Sequence, residues 1–423
     1  MKKILLGALA GACIPPLALA QSSVQLYGLA DAGVMWQHGS SPKIISGGED
    51  GSRLGVKGSE DLGRGLKAVF NLEARVEIDT GKQQPVLLNE NQGFYLTRGM
   101  GALPPPLLAA VRTALQPPGG PAVNPENALF DRTAMVGMIT PLGAVLVGRM
   151  YTPGYEVFAA SDTFDVGTAG TWGSITGGTA GFQALGADIR SQRALQYRIA
   201  LPSGLGGSVM VAGRGSGYYG LYNKFWGAAI TYKANGWDVG IGHNHGYDPS
   251  GAPSLRTTTV GGSYAWNDWK FFAGWHDQRN QHSTLLPTYV NGWDALIAPQ
   301  LAPLGPATAA ALRNVFVTNI NNNTQQDAVG YQAGFQYRVG ASRFLASIAR
   351  QNDRTPSNSD ATQLAVGYNY FLSKRTDVYA VASYIKNDNE AQYSPASGGA
   401  PGGFTPAPGD NGRAFQLGVR HRF

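Results

Sequence analysis

The chain has 423 residues, 58 of them glycine, with 14% charged and 10% aromatic side chains. A formal charge of +6 without a basic run does not make a nucleic-acid surface, and one cysteine excludes a disulfide framework. Past the N-terminus no apolar run reaches the ~20 residues of a spanning helix, so a membrane chain of this composition crosses by strands.

Residues 1–20 are expected to be a signal peptide. Lys2 and Lys3 supply the positive region, 4–16 is largely apolar, and Ala18-Leu19-Ala20 offers a small-x-small cleavage site before Gln21. Cys13 sits in a weakly lipoprotein-like context, but the leucine of that motif lies one place too far upstream. Cleavage would remove two lysines and no acid, taking the charge from +6 to +4 and leaving no cysteine.

From there hydrophobicity alternates at period two. Val24, Leu26, Ala30, Ala32 and Val34 share one face of a first strand, with Gln25, Tyr27 and Asp31 on the other. A polar loop leads to a second strand at 52–58, a tight turn at 60–65 and a long third strand at 66–78. In that strand Lys67, Asn71, Glu73, Arg75 and Glu77 alternate with small and apolar residues. Similar segments follow at 129–139, 143–151, 190–201, 207–215, 224–234, 237–247, 255–266, 269–279, 326–339, 342–352, 361–372, 377–387 and 412–423, giving sixteen strands. The last sets Phe415, Leu417, Val419, His421 and Phe423 against Gln416, Gly418, Arg420 and Arg422, and ends on an aromatic residue. Short connections alternate with long ones at 79–128, 152–189, 280–325 and 388–411. The expected fold is therefore all-β: a 16-stranded antiparallel transmembrane β-barrel over 21–423, with short periplasmic turns and long outer loops. Trp237, Trp266, Trp269, Tyr370 and Phe371 lie near short turns, where an aromatic girdle meets headgroups.

The stretches SSVQLYGLADAG, SRLGVKGSEDLGRGLKAVFNLEA, FDRTAMVGM, GAVLVGRMYTPGY and the terminal LGVRHRF together resemble the Gram-negative general porins. The resemblance spans most of 21–423. It implies a homotrimer of outer-membrane barrels passing small hydrophilic solutes and ions, in contact with outer-membrane lipid and lipopolysaccharide. It also implies recognition by the barrel-assembly machinery through the strand ending in Phe423. No cofactor is implied.

A pore needs a narrow place with fixed charge. The candidate is the loop after the fifth strand, 152–189, where Glu156, Asp162 and Asp165 would present carboxylates and neighbouring aromatics would anchor the loop. In the resembling porins this loop folds inward against wall arginines, which by motif position are Arg53, Arg132 and Arg198. Parity supports Arg53, opposite Leu54 and Val56, and Arg198, which shares a face with Gln196. Arg75 and Lys67 are added by parity alone. Simple alternation sets Arg132 with Ala134 and Val136, so it needs a bulge or a place near the rim. Arg190 is a weaker candidate. The small positive excess suggests weak anion preference.

Two long loops carry Ala-rich stretches of helical spacing, 103–116 and 295–317. Either these pack on their own barrel, or the first latches onto a neighbouring subunit as in the family. Residues 394–411, rich in Pro and Gly, are expected to be a mobile outer loop. His243 and His245 share a strand face, but a third metal ligand at diagnostic spacing is missing. No nucleophile elbow, phosphate loop or HExxH occurs, so an enzyme is not expected. The alternatives to a general pore are a substrate-specific channel with a solute-binding lumen and a plugged structural or adhesive barrel.

Overall fold

The computed structural model describes residues 23–83, 96–115, 124, 128–176, 189–217, 222–280, 282, 286–397 and 402–423. The expected signal peptide lies outside them. The strands are β1 (Ser23–Gln37), β2 (Lys43–Ser46), β3 (Arg53–Gly63), β4 (Leu66–Arg75), β5 (Thr133–Thr140), β6 (Gly143–Tyr151), β7 (Arg190–Ala200), β8 (Leu205–Ala212) and β9 (Lys224–Ala234). They continue with β10 (Trp237–Tyr247), β11 (Pro253–Trp266), β12 (Trp269–Asn280), β13 (Gln326–Val339), β14 (Ser342–Asp353), β15 (Ala361–Phe371), β16 (Thr376–Asn387) and β17 (Gly412–Arg422). All join one sheet, each pairing antiparallel with its neighbours.

Seventeen strands make sixteen staves. Both β2 and β3 pair with β1, the former against 32–35 and the latter against 23–29, so they are one stave interrupted at 47–52. The sheet closes where β1 pairs with β17, from Leu29 opposite Arg422 to Gln37 opposite Ala414. Below that register Gly28 and Phe423 exchange both backbone hydrogen bonds at 3.1 Å. Closure satisfies every ladder without an edge, which a strand in hydrocarbon requires. The side chains sort accordingly. In β17 Phe415, Leu417 and Val419, with Phe423 just after it, are exposed outward while Gln416 and Arg420 are buried inward. An apolar exterior around a polar interior is stable only with lipid outside. Tight hairpins demand positive φ at both central residues, supplied at Arg64-Gly65 (54° and 76°) and Asn235-Gly236 (53° and 83°).

Several boundaries differ from expectation. The third stave ends at Arg75, short of 78, because the chain turns there and the Glu77 N–H donates to the Lys82 carbonyl. The stave expected at 129–139 begins at Thr133, so Arg132 lies before the strand and escapes its alternation. The four-residue β2 was hidden in a polar loop, too short to show a period. Trp237, Trp266 and Tyr370 do face outward. Phe371 falls on the inner parity and lies under the guanidinium groups of Arg338 and Arg343, at 4.9 and 5.7 Å from its centroid.

The long loops are folded. Helix α1 (Pro105–Leu115) belongs to the β4–β5 loop, and α3 (Leu286–Gly292), α4 (Ala298–Leu301) and α5 (Pro306–Asn323) belong to the β12–β13 loop. The described parts of these insertions pack on each other rather than on the barrel wall, burying Met100, Leu103, Val111, Trp293, Ile297 and Phe316. The described parts of 388–411 also fold in. Tyr393 and Phe404 are buried, and the Gln37 side-chain amide donates to the carbonyls of Pro395 (2.6 Å) and Gly402 (2.9 Å).

Candidate functional site: a loop-narrowed lumen

Helix α2 (Pro153–Ser161) opens the loop that follows β6. Proline stands at its first turn, and the Thr152 hydroxyl caps it, accepting from Tyr155 N–H at 3.4 Å and from Asn244 Nδ2 at 3.0 Å. The loop lies inside the barrel because the inner wall leaves room for it. A Cβ on Gly242 would stand 2.9 Å from the Gly154 Cα, and one on Gly274 would stand 2.9 Å from the Ser161 hydroxyl and 3.1 Å from the Trp172 ring. Inward amides then hold the loop backbone. Gln332 accepts from Thr163 N–H (3.0 Å) and donates to Ser161 O (2.6 Å), Gln336 donates to Thr163 O (2.6 Å), and Gln416 accepts from Ala169 N–H (2.9 Å). Aromatics complete the anchoring: Phe158 stacks on Trp172 at 4.5 Å, and both are buried.

The three loop carboxylates go to different places. Glu156 meets Arg198 at 2.6 Å and faces a lumen cavity of about 1070 Å³. Burial raises the Glu156 pKa, against the pull of Arg198. Asp165 lines the same cavity but pairs with Arg343 at 2.9 Å. Asp162 presents nothing to the pore. It is fully buried at the end of α2, accepting from the Thr171 hydroxyl (2.5 Å) and Phe164 N–H (2.7 Å). Burial pushes its pKa up to about 7, its hydrogen bonds notwithstanding.

Four of the five wall cations converge and one does not. Arg53 is held in a two-pronged pair by Asp50 (2.9 and 2.7 Å) and shares Glu73 with Arg132, at 3.6 and 2.7 Å. Arg132 turns inward from just before β5. Arg75 pairs with Glu77 (3.0 Å) and Asp131 (3.5 Å). Arg198 faces Glu156. Lys67 is exposed at the short-turn end of β4, eight residues and so roughly 26 Å along the strand from Arg75. Arg190, the weaker candidate, is buried beside the cavity. It donates to the Tyr151 hydroxyl at 2.7 Å, lies 4.4 Å from that ring's centroid, and has no carboxylate within 4 Å among the described residues. The Arg132 guanidinium reaches the same hydroxyl at 3.5 Å.

A second cluster escaped sequence reasoning. Arg343 and Arg420 converge on Glu49 at 2.7 and 3.1 Å, and Arg420 and Arg422 converge on Asp377 at 3.1 and 3.3 Å. Period-two parity would have turned Arg343 inward, since it alternates with the outward Phe344. Its carboxylate partners, Glu49 and Asp165, come from distant loops. His243 and His245 face outward beside Trp226, at 5.0 and 5.9 Å between ring centroids, away from the lumen.

The family model described as Gram-negative porin matches residues 6–390, most of the chain. The chain belongs to the Gram-negative porin family. Outer membrane porin protein 32 of Delftia acidovorans is 24% identical over the whole of both chains, and an outer membrane porin protein of Bordetella pertussis is 23% identical, also end to end. Among solved structures, the anion-selective porin from Comamonas acidovorans superposes with a TM-score of 0.65 at 20% identity, covering 95% of this chain and all of that one. The trimer form of OmpT from Vibrio cholerae superposes at 0.57 with 14% identity, covering 95% and 99%. These likenesses bear on the fold. As a porin the protein resides in the outer membrane and forms a passive channel for small hydrophilic solutes and ions. The cavity beside α2 is lined by Glu156 and by Arg75, Arg132, Arg190 and Arg198.

Proposed function

We propose that this porin is a general diffusion channel with a weak preference for anions, set at the α2 constriction by Arg53, Arg75, Arg132, Arg190 and Arg198. The observation that carries the reading is Arg190. The other four each have a carboxylate within 4 Å, so their fields are largely cancelled at a distance. Among the described residues Arg190 has only the Tyr151 hydroxyl and ring, and its charge is left to act on passing ions. At about 7 Å in water one unit charge is worth about 0.6 kcal/mol, or roughly threefold in local anion concentration. Arg190→Gln is therefore expected to lower the anion/cation permeability ratio by about that factor in planar bilayers under a salt gradient. An unmoved reversal potential would sink the reading. That a structural neighbour is an anion-selective porin supports it.

The working unit is proposed to be a homotrimer, as a neighbour solved in trimer form suggests. The outward apolar strands would contact outer-membrane lipid and lipopolysaccharide. The β17 seam ending in Phe423 would be the handle for the assembly machinery. A substrate-specific channel is favoured only by Tyr151 and Tyr155, stacked at 5.2 Å along the cavity beside Arg190. Phe158 and Trp172, which would extend an aromatic track, are buried under the loop. Conductance blocked by low concentrations of an aromatic or carboxylate solute would favour that second reading.

A further inference from the structure

The β4–β5 loop is rooted on the third and fourth staves and the β12–β13 loop on the eleventh and twelfth, so six staves lie between them on either side. They rise from opposite sides of the rim. Sixteen strands ~4.8 Å apart and tilted by ~40° enclose a mouth about 30 Å across. Yet the two loops share one apolar core, in which Trp293 stacks on Phe316 at 4.5 Å and both are fully buried with Met100 and Val111. Arg98 of the first loop donates to Asn323 Oδ1 at 3.0 Å, and the Asn323 amide donates to the Arg98 carbonyl at 2.9 Å. Asn323 stands three residues before β13, so the first loop has reached the opposite rim.

The third long loop ties this assembly to the constriction. Phe404 enters the shared core, Tyr393 packs in the cluster of Phe158 and Trp172, and the two residues form a β-bridge. The Ala396 N–H donates to the Ser174 hydroxyl at 3.0 Å, within the segment that follows α2.

We infer that the helical insertions form a fixed roof across the outer mouth, braced on the constriction loop, which sets the upper size of solutes entering from outside. This rests on the porin reading, with size selection at the roof and charge selection at α2. A core of large apolar side chains drawn from opposite rims does not part spontaneously, since opening would expose all of it to water. The roof thus acts as a static obstacle, with entry through gaps beside it.

The experiment replaces 96–115 and 286–323 by short Gly-Ser turns in the full chain and compares it with wild type in proteoliposomes, using sugars from mono- to pentasaccharide. The expected result is a several-fold rise in the uptake of the largest sugars relative to the smallest, with the reversal potential unchanged because α2 is untouched. The same size dependence in both proteins would overturn the inference. If the shortened chain does not assemble, Trp293→Ala/Phe316→Ala, which loosens the core, is expected to raise large-sugar uptake in the same direction, and no rise would overturn it. A Leu115→Cys/Gly292→Cys pair, with Cys13 replaced, tests rigidity, since a Cβ on Gly292 stands 2.8 Å from Leu115 Cδ2. Oxidation is expected to leave every flux unchanged, and a drop on oxidation would make the roof a moving lid. Absence of flux in wild type would count against the porin reading itself, an outcome separate from the others.

Discussion

Glu156 and Asp162 stand six residues apart on one loop, yet burial gives them different work. Glu156 cancels Arg198, a half-exposed pair worth at most about 1 kcal/mol of stability. Its pKa is raised by burial, so acidification from neutrality protonates it earlier than an ordinary carboxylate and uncovers the Arg198 charge. Anion preference is expected to rise as pH falls through that raised value. Glu156→Gln is expected to show the higher preference at every pH, and reversal potentials measured against pH check both. Asp162 works inside the loop. With its folded pKa raised from 3.8 to about 7, the docked loop binds more protons than the free one in between. The stabilising contribution of protonation is full below about 4 and is lost as pH rises through about 7. Asp162→Asn is expected to hold the loop docked at pH 8 where wild type loosens, read as slower proteolysis within 152–176.

At the scale of elements, the constriction depends on what the wall omits. The inward Gly242 and Gly274 are gaps into which α2 and Ser161 fit. Gly274→Val would put branched carbons against Ser161 and Trp172, and overpacking costs ~1–3 kcal/mol. The expected result is a displaced loop, seen as altered single-channel conductance and weaker ion selectivity, with the barrel still folded. Gly274→Ala is expected to be milder. Staves such as β4 and β17 were legible in the sequence because one face must be apolar and the other polar, which is a local demand. β2 was not legible, because four residues carry no period. The position of Arg132 was not legible either, because parity applies only inside a strand and β5 starts one residue later. The insertions showed their helical spacing but not their partner, since an apolar face looks the same whichever surface covers it.

For the whole molecule, closure is the decisive event. The Gly28–Phe423 hydrogen-bond pair extends the β1–β17 seam by one step. Removing Phe423 is expected to lower the melting temperature of the detergent-solubilised barrel and slow its refolding, measured by the shift in gel mobility on heating. The amino-acid sequence by itself determined the period-two alternation, the sixteen staves, the short and long sides of the barrel and the arginines on inner faces. Each of these follows from neighbours a few residues apart along the chain. Only the tertiary structure decided that Asp165 answers Arg343, that Asp162 is hidden, that Arg190 meets Tyr151 and that loops from opposed staves share one core. The barrel wraps distant segments to within a few ångströms of one another, and charge and contact act across space, where chain separation has no influence.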